Sequence, residues 1–298
     1  MGIRGGTEES DRIVGGSPLL AKARDTLRLK HYSIRTEVAY LGWIKRYILF
    51  HGKRHPQEMA EAEVEAFLNH LAVEGNVAAS TQNQALNALV FLYRHVVKRE
   101  LARGMNITHA KRPERLPTVF ERDEVARILG HLQGVPGLIA RLQYGTGMRL
   151  MECLRLRVQD IDFLRRQIMV RSGKGDKDRA ALLPAELIPA LHRQLKLAKV
   201  AHQADLAEGF GEVYLPHALE RKYRNAAREW GWQYVFFASH RAIDPRSGKE
   251  RRHHIHESVV QKALKAAIRE GGIHKRGSTH TLRHYLPFLT ISCSTALP

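Results

Sequence analysis

Three short stretches of this chain carry residues able to handle a phosphodiester: Gly145-Thr-Gly-Met-Arg149-Leu-Met-Glu152, Gly173-Lys174-Gly-Asp-Lys177-Asp-Arg179 and His280-Thr-Leu-Arg283-His284. Two arginines can grip the non-bridging oxygens of one phosphate in bidentate fashion, which neutralises the charge that grows as a pentavalent state forms. Arg149 and Arg283 are the candidates for that clamp. A lysine on a glycine-flanked hairpin tip can reach into DNA and protonate a departing 5′ oxygen, and a histidine beside the second arginine can hold or shuttle a proton. Lys174 and His280 suit those roles. Taken singly, each residue also has a plainer reading: Arg149 and Glu152 as an i,i+3 surface pair, Lys174 as an ordinary turn lysine. The glycines do not make a nucleotide-triphosphate site, because no glycine stands five positions before Gly173 and no Gly-x-Gly-x-x-Gly follows a strand-like run.

The balance of charge points to the same kind of ligand. Among 298 residues, 48 Lys and Arg stand against 30 Asp and Glu, a formal charge of +18, and the pI is about 10.2. Such an excess is the footprint of a polyanionic partner, with nucleic acid foremost. A hydrophobic content of 44% shows that the charge decorates a real core. Cys153 and Cys293 are the only cysteines; they give no disulfide framework and fit a reducing, cytoplasmic setting. No stretch approaches 18 consecutive apolar residues, and nothing in the sequence calls for a membrane or a cofactor.

The elements that must position these residues follow from periodicity. Residues 1–16, with five glycines, read as a flexible leader. From 17 to 101 the pattern is helical, with helices starting at Pro18, at Ser33 with Glu37 in the first turn, at about Glu61 before a break at Gly75, and after Ser80, where Leu86, Leu89, Val90, Tyr93 and Val97 share a face. Short connections predict an antiparallel bundle. Residues 102–118 lose the period and collect prolines with Lys111, Arg112 and Arg115, as a basic interdomain linker would. Over 119–298, two helical segments lead to Gly147, residues 161–183 read as short strands around a loop from Ser172 to Lys177, and helical period returns at 184–208, 217–229 and 257–270. The expected fold is therefore mostly α with a small β-sheet (α+β).

The three clusters, in this order and on a helix, a β-hairpin and a helix, resemble the catalytic boxes of the tyrosine recombinases. That resemblance implies a helical core-binding domain and a catalytic domain that clamp DNA, with the linker residues Lys111 and Arg112 against the duplex. The stretch from about 202 to 256 is similar to the insertion of integron integrases, through Glu229-Trp-Gly-Trp232, Asp244-Pro245-Arg246-Ser-Gly and Arg251-Arg-His-His-Ile-His256. Such integrases fold one strand of a recombination site into a hairpin and read bases that bulge from it. The resemblance therefore implies that Trp232, Pro245 and His254 stack on those bases, a task suited to aromatic and imidazole faces. Without it, the tryptophans read as core residues and the histidines as a solvated run. A metal is not expected, since His253, His254 and His256 are too close in sequence to surround one ion.

The family continues beyond its second arginine to a nucleophilic tyrosine some tens of residues on, whereas fifteen residues follow Arg283 here and fourteen of them, YLPFLTISCSTALP, carry no charge. The expectation is a C-terminally truncated recombinase that binds folded single-stranded and duplex sites without cutting them. Tyr285, two residues past Arg283, is too close to that arginine for in-line attack. Self-association on DNA, tetrameric in the intact family, is expected to be weakened. Two alternatives stay open: a non-enzymatic DNA-binding protein or regulator, and a phage-type recombinase acting on duplex sites.

Overall fold

The computed structural model describes Ser10 and residues 12–102, 118–171, 177–215, 219–223 and 225–283. The chain divides into two compact units, Met1–Arg115 with Asp244–Gly248, and Leu116–Ile243 with Lys249–Pro298. Lys111, Arg112, Lys174, Tyr285 and all but the ends of the expected linker lie outside the described residues.

Helices of the first unit begin where the sequence provides caps. Ser17 accepts the Leu20 N–H at 3.5 Å and Pro18 fills the first turn of α1 (Pro18–Leu29). Ser33 accepts the Thr36 N–H at 3.1 Å to start α2 (Ile34–Phe50). In α3 (Glu61–Val73), Glu63 reaches back to the Ala60 N–H at 2.7 Å. α4 (Ala79–Phe91) starts from an alanine and runs into a π-helical turn, Leu92–Val97, that ends at Lys98 with φ 66°. Their apolar faces close one core around Leu27, Leu41, Ile44, Leu68 and Leu89, all fully buried. Within it the Tyr47 and Tyr93 hydroxyls meet at 2.8 Å, and buried Glu37 is held by Arg28 at 2.8 Å, as a desolvated charge requires. The end of the expected leader is corrected by this core, because Val14 is buried in it with Ile13 packed alongside.

The second unit opens with α5 (Arg122–His131), α6 (Gly134–Thr146) and the short α7 (Leu150–Leu154). The antiparallel sheet follows, ordered β1 (Ile161–Asp162), β2 (Gln167–Val170), β3 (Arg179–Leu182), with Val170 opposite Arg179. It is embedded among helices, as the sequence predicts. After α8 (Ile188–Ala207), the helix expected over 217–229 is reduced to α9 (Leu219–Lys222) and the 3-10 turns Ala226–Arg228 and Trp230–Trp232. A two-residue hairpin, β4 (Ala242–Ile243) with β5 (Glu250–Arg251), precedes α10 (Glu257–Glu270). The third phosphate-handling box sits on a 3-10 turn, Thr281–Arg283, rather than on a described α-helix.

One core of this unit joins its two ends: Phe120, Val125 and Ile128 pack with Leu264, Ala267 and Leu282. Arg127 crosses 144 residues of sequence to donate to the Gly271 carbonyl at 3.1 Å. A Cβ on Gly277 would stand 2.0 Å from the Phe120 ring, so only glycine lets that ring seat. Among the described residues no helix is long and apolar enough to cross a membrane.

Candidate functional site

Gly147 ends α6 in the left-handed region, φ 66°, a conformation glycine adopts without strain. The resulting turn buries Met148 and leaves Arg149 at the N-cap of α7. Glu152 in the first turn reaches back, accepting the Arg149 N–H and the Arg149 Nη1 at 2.7 Å each. Arg179 on β3 donates its Nη2 to the same carboxylate at 2.7 Å. The Glu152 side chain is 8% exposed, and the two arginines are 38% exposed each. One buried acid thus anchors two cations whose outer faces remain open to solvent.

Arg283 joins them from the far end of the sequence. Its Nε donates to the Gly147 carbonyl at 2.6 Å, which ties the first box to the third. Its Nη1 stands 3.4 Å from His280 Nδ1. Gln143 on α6 supports both sides, donating to the Met148 carbonyl at 3.4 Å and the Thr279 carbonyl at 3.5 Å.

The electrostatics follow from this crowding. Burial works to raise the Glu152 pKa, but the Arg149 N–H and the Arg149 and Arg179 guanidinium groups outweigh it and hold the carboxyl below its ordinary range. Arg283 is lowered by burial and then by repulsion from Arg149, with Arg179 adding to it. Three guanidinium groups against one carboxylate leave an excess of positive charge, which a bound anion would relieve. Burial pushes the Cys153 thiol far up, so it is no nucleophile despite standing next to Glu152 in sequence.

The structure therefore brings Arg149, Arg283 and His280 together. It adds Arg179 and Gln143, which the sequence reading left without a role, and it buries Glu152, read there as the i,i+3 surface partner of Arg149, between two cations. Glu152 had a visible signal, its place three residues after the N-cap; buried Gln143 had none.

A second cluster forms in the same unit. Arg157, 7% exposed, donates Nη1 to the Trp232 carbonyl and Nη2 to the Tyr214 carbonyl, both at 2.8 Å, and lies 3.6 Å over the ring of buried Tyr234. Tyr234 stacks on His253 at 5.7 Å and meets the edge of His254 at 5.4 Å. Trp232 packs partly buried against the same small core, Val213, Leu215, Ala226, Ala227 and Tyr234. Trp232 and His254 are thus brought to one ring, whereas Pro245 belongs to the turn Asp244–Gly248 that groups with the first unit. Burial lowers the His254 pKa, and Arg155, Arg157 and His256 add to that against a hydrogen bond to the Ile255 carbonyl. The neighbouring histidines point to different partners, and among the described residues no three His, Cys, Asp or Glu could hold a metal ion.

Elsewhere in this unit, Asp205 on α8 binds Arg252 at 2.6 Å and Arg241 at 2.8 Å, and Arg252 donates to the Ala238 and Ser239 carbonyls. Arg251, 1% exposed, pairs with Glu220 at 2.5 Å.

A helical two-unit chain with an open guanidinium cluster has the makings of an enzyme acting on phosphodiesters, and comparison with known proteins is specific about which. The profile of the phage integrase N-terminal SAM-like domain matches residues 19–103, and that of the phage integrase family matches residues 118–289. The chain belongs to the phage integrase family, the tyrosine recombinases that carry out site-specific recombination of DNA. It is 48% identical over 266 residues to an integrase/recombinase of Escherichia coli, covering 89% of this chain and 79% of that one. An integrase/recombinase of Pseudomonas aeruginosa matches equally well. In fold it is similar to a lambda integrase (75–356) dimer bound to a core site, with TM-score 0.56, 15% identity, and coverage of 89% of this chain and 82% of that one. It is also similar to XerH bound to its difH substrate before cleavage, with TM-score 0.53, 19% identity, and coverage of 88% and 70%.

Proposed function

We propose that this chain is an integron-integrase-type recombinase that binds recombination sites both as folded single strands and as duplex. The observation that carries the reading is the convergence of Arg149, Arg179 and Arg283 around Glu152, with His280 at the rim. Arg149 and Arg283 would clamp the non-bridging oxygens of the scissile phosphate, and Arg179 would add to the field. Lys174 would give its proton to the departing 5′ oxygen, and His280 would hold or relay one. In the family the attacking group is a tyrosine, which forms a 3′-phosphotyrosyl bond as the bond to the 5′ oxygen breaks. We assign no residue of this chain to that attack, and expect DNA binding without cutting.

Trp232 and His254, grouped at Tyr234, would receive extrahelical bases, with Pro245 a further contact. Lys111 and Arg112 would meet the duplex backbone. Copies would associate on DNA, in keeping with the lambda integrase tetramer on a Holliday junction among the similar folds. The test is incubation of the purified chain with a folded single-stranded site carrying a nick that traps covalent intermediates. Retention in a native gel without a shifted band under denaturing conditions is expected; an adduct would overturn the loss of cleavage, and absence of any complex would overturn the reading.

A further inference from the structure

Arg157 is a costly residue to bury. A guanidinium taken out of water is stabilised only where its hydrogens are met, and packing alone would be served as well by an apolar side chain of similar length. Among the described residues no carboxylate bonds this guanidinium. It is met instead by two backbone carbonyls and the face of Tyr234 at 3.6 Å. Its own backbone is pinned by Asp160, which accepts the Arg157 N–H at 3.1 Å and ion-pairs with Arg171 at 2.6 Å.

The identity of the two carbonyls is informative. They belong to Tyr214 and Trp232, 57 and 75 residues away from Arg157 in sequence. Both carry aromatic rings that stay accessible, Trp232 half-buried and Tyr214 39% exposed. The adjoining backbone is already paired: Val158 N–H donates to the Gln233 carbonyl at 3.1 Å, and Val235 N–H to the Leu156 carbonyl at 3.0 Å. The fork of Arg157 takes the Trp232 carbonyl beside this pairing and the Tyr214 carbonyl of another segment, and so fixes two separate loops at the points where their aromatic side chains begin.

We infer that Arg157 is a positioning residue for recognition of an unpaired nucleobase, holding Trp232 and Tyr214 as two aromatic surfaces around Tyr234 and His254. The inference rests on the reading of the insertion as a base-contacting region, and it adds Tyr214 to the contacts. Arg157 itself does not touch the base; it sets the spacing of rings on which the base stacks, and stacking of this kind tolerates any base because each has a π-face.

The test uses the full chain and two synthetic stems, one carrying a single unpaired 2-aminopurine and one fully paired. The wild-type chain should bind the first about tenfold more tightly, in line with the worth of stacking one base, and quench its fluorescence. Arg157→Met should bring that preference to within about twofold and abolish the quench, with paired-stem affinity unchanged. Arg157→Lys, which keeps the charge and can serve one carbonyl, should retain an intermediate preference, and it carries the test alone if the Met variant does not fold. Full preference in either variant overturns the inference, as does an equal loss of affinity for both stems. No preference in the wild-type chain overturns the underlying reading of the insertion instead.

Discussion

Two regions of the second unit solve opposite electrostatic problems. Around Glu152 a single carboxylate, 8% exposed, is surrounded by guanidinium groups that keep their outer faces in water. Around Arg157 a single guanidinium is surrounded by carbonyl dipoles and an aromatic face, and its charge is met internally. The first arrangement leaves attraction unspent and directed outward, which suits a site that receives an anion. The second directs its bonds inward and converts them into fixed geometry, which suits a scaffold for neutral, flat surfaces.

Removing the central group should separate the two most sharply. Glu152→Leu leaves Arg149, Arg179 and Arg283 repelling one another, and should destabilise the unit by about 3 kcal/mol at low salt, the lower end for breaking a buried pair because the arginines are partly solvated. Urea melts should show this loss shrinking when DNA or inorganic phosphate is added. Arg157→Ala, which strands two carbonyls and opens a void, should cost about 2 kcal/mol in the same melts, without recovery on adding phosphate. Arg157→Met should stay within about 1 kcal/mol of the wild-type chain, since apolar replacements of buried ions are tolerated.

Acid separates the regions again, by where each loses stability. Both groups have depressed folded pKa values, so both contribute stability that is present above the unfolded pKa and lost as pH falls. For His254 the loss begins below about pH 6.5, and for Glu152 below about pH 4.3, the ordinary values of the two side chains. Urea melts against pH should therefore decline over both ranges; His254→Phe should shrink the upper decline, which His202 and His95 share, and Glu152→Gln the lower, which Asp205 and Glu220 share. The smallest effect is expected at a surface pair, where Lys249 contacts Glu220 at 3.0 Å with 52% and 35% exposure. Lys249→Ala should change stability by less than about 0.5 kcal/mol, and less still in high salt.

What the sequence made legible was local in origin. Ser17 and Ser33 announce helices because a cap acts within three residues, and Gly147 announces a helix end because only its own φ is at stake. Arg149, His280 and Arg283 were visible as types in short motifs, and the structure brings them together. Residues 202–256 were harder, because their order comes from distant partners. Residues 217–229 have helical spacing, yet Ala226 and Ala227 turn instead to Val213, Leu215 and Tyr234, while Gln233 Nε2 spans the Gly211, Ala227 and Glu229 carbonyls. β4 and β5 are two residues each, too short for alternation to register. Arg157 gave no signal at all, since nothing near it in sequence shows that its carbonyl partners lie on other loops.

The seating of Phe120 against Gly277 has a consequence for how the chain is made. The first unit finds most of its core partners between Val14 and Val96, so it can fold while the ribosome is still adding the rest. The second cannot: Phe120 and the apolar face of α5 emerge early and wait for Leu264, Ala267, Gly277 and Leu282 to be synthesised. During that interval the nascent polypeptide displays a sticky, unmatched surface, and closure over so long a loop is slow. One half of the molecule can therefore be finished while the other still waits for its last partners.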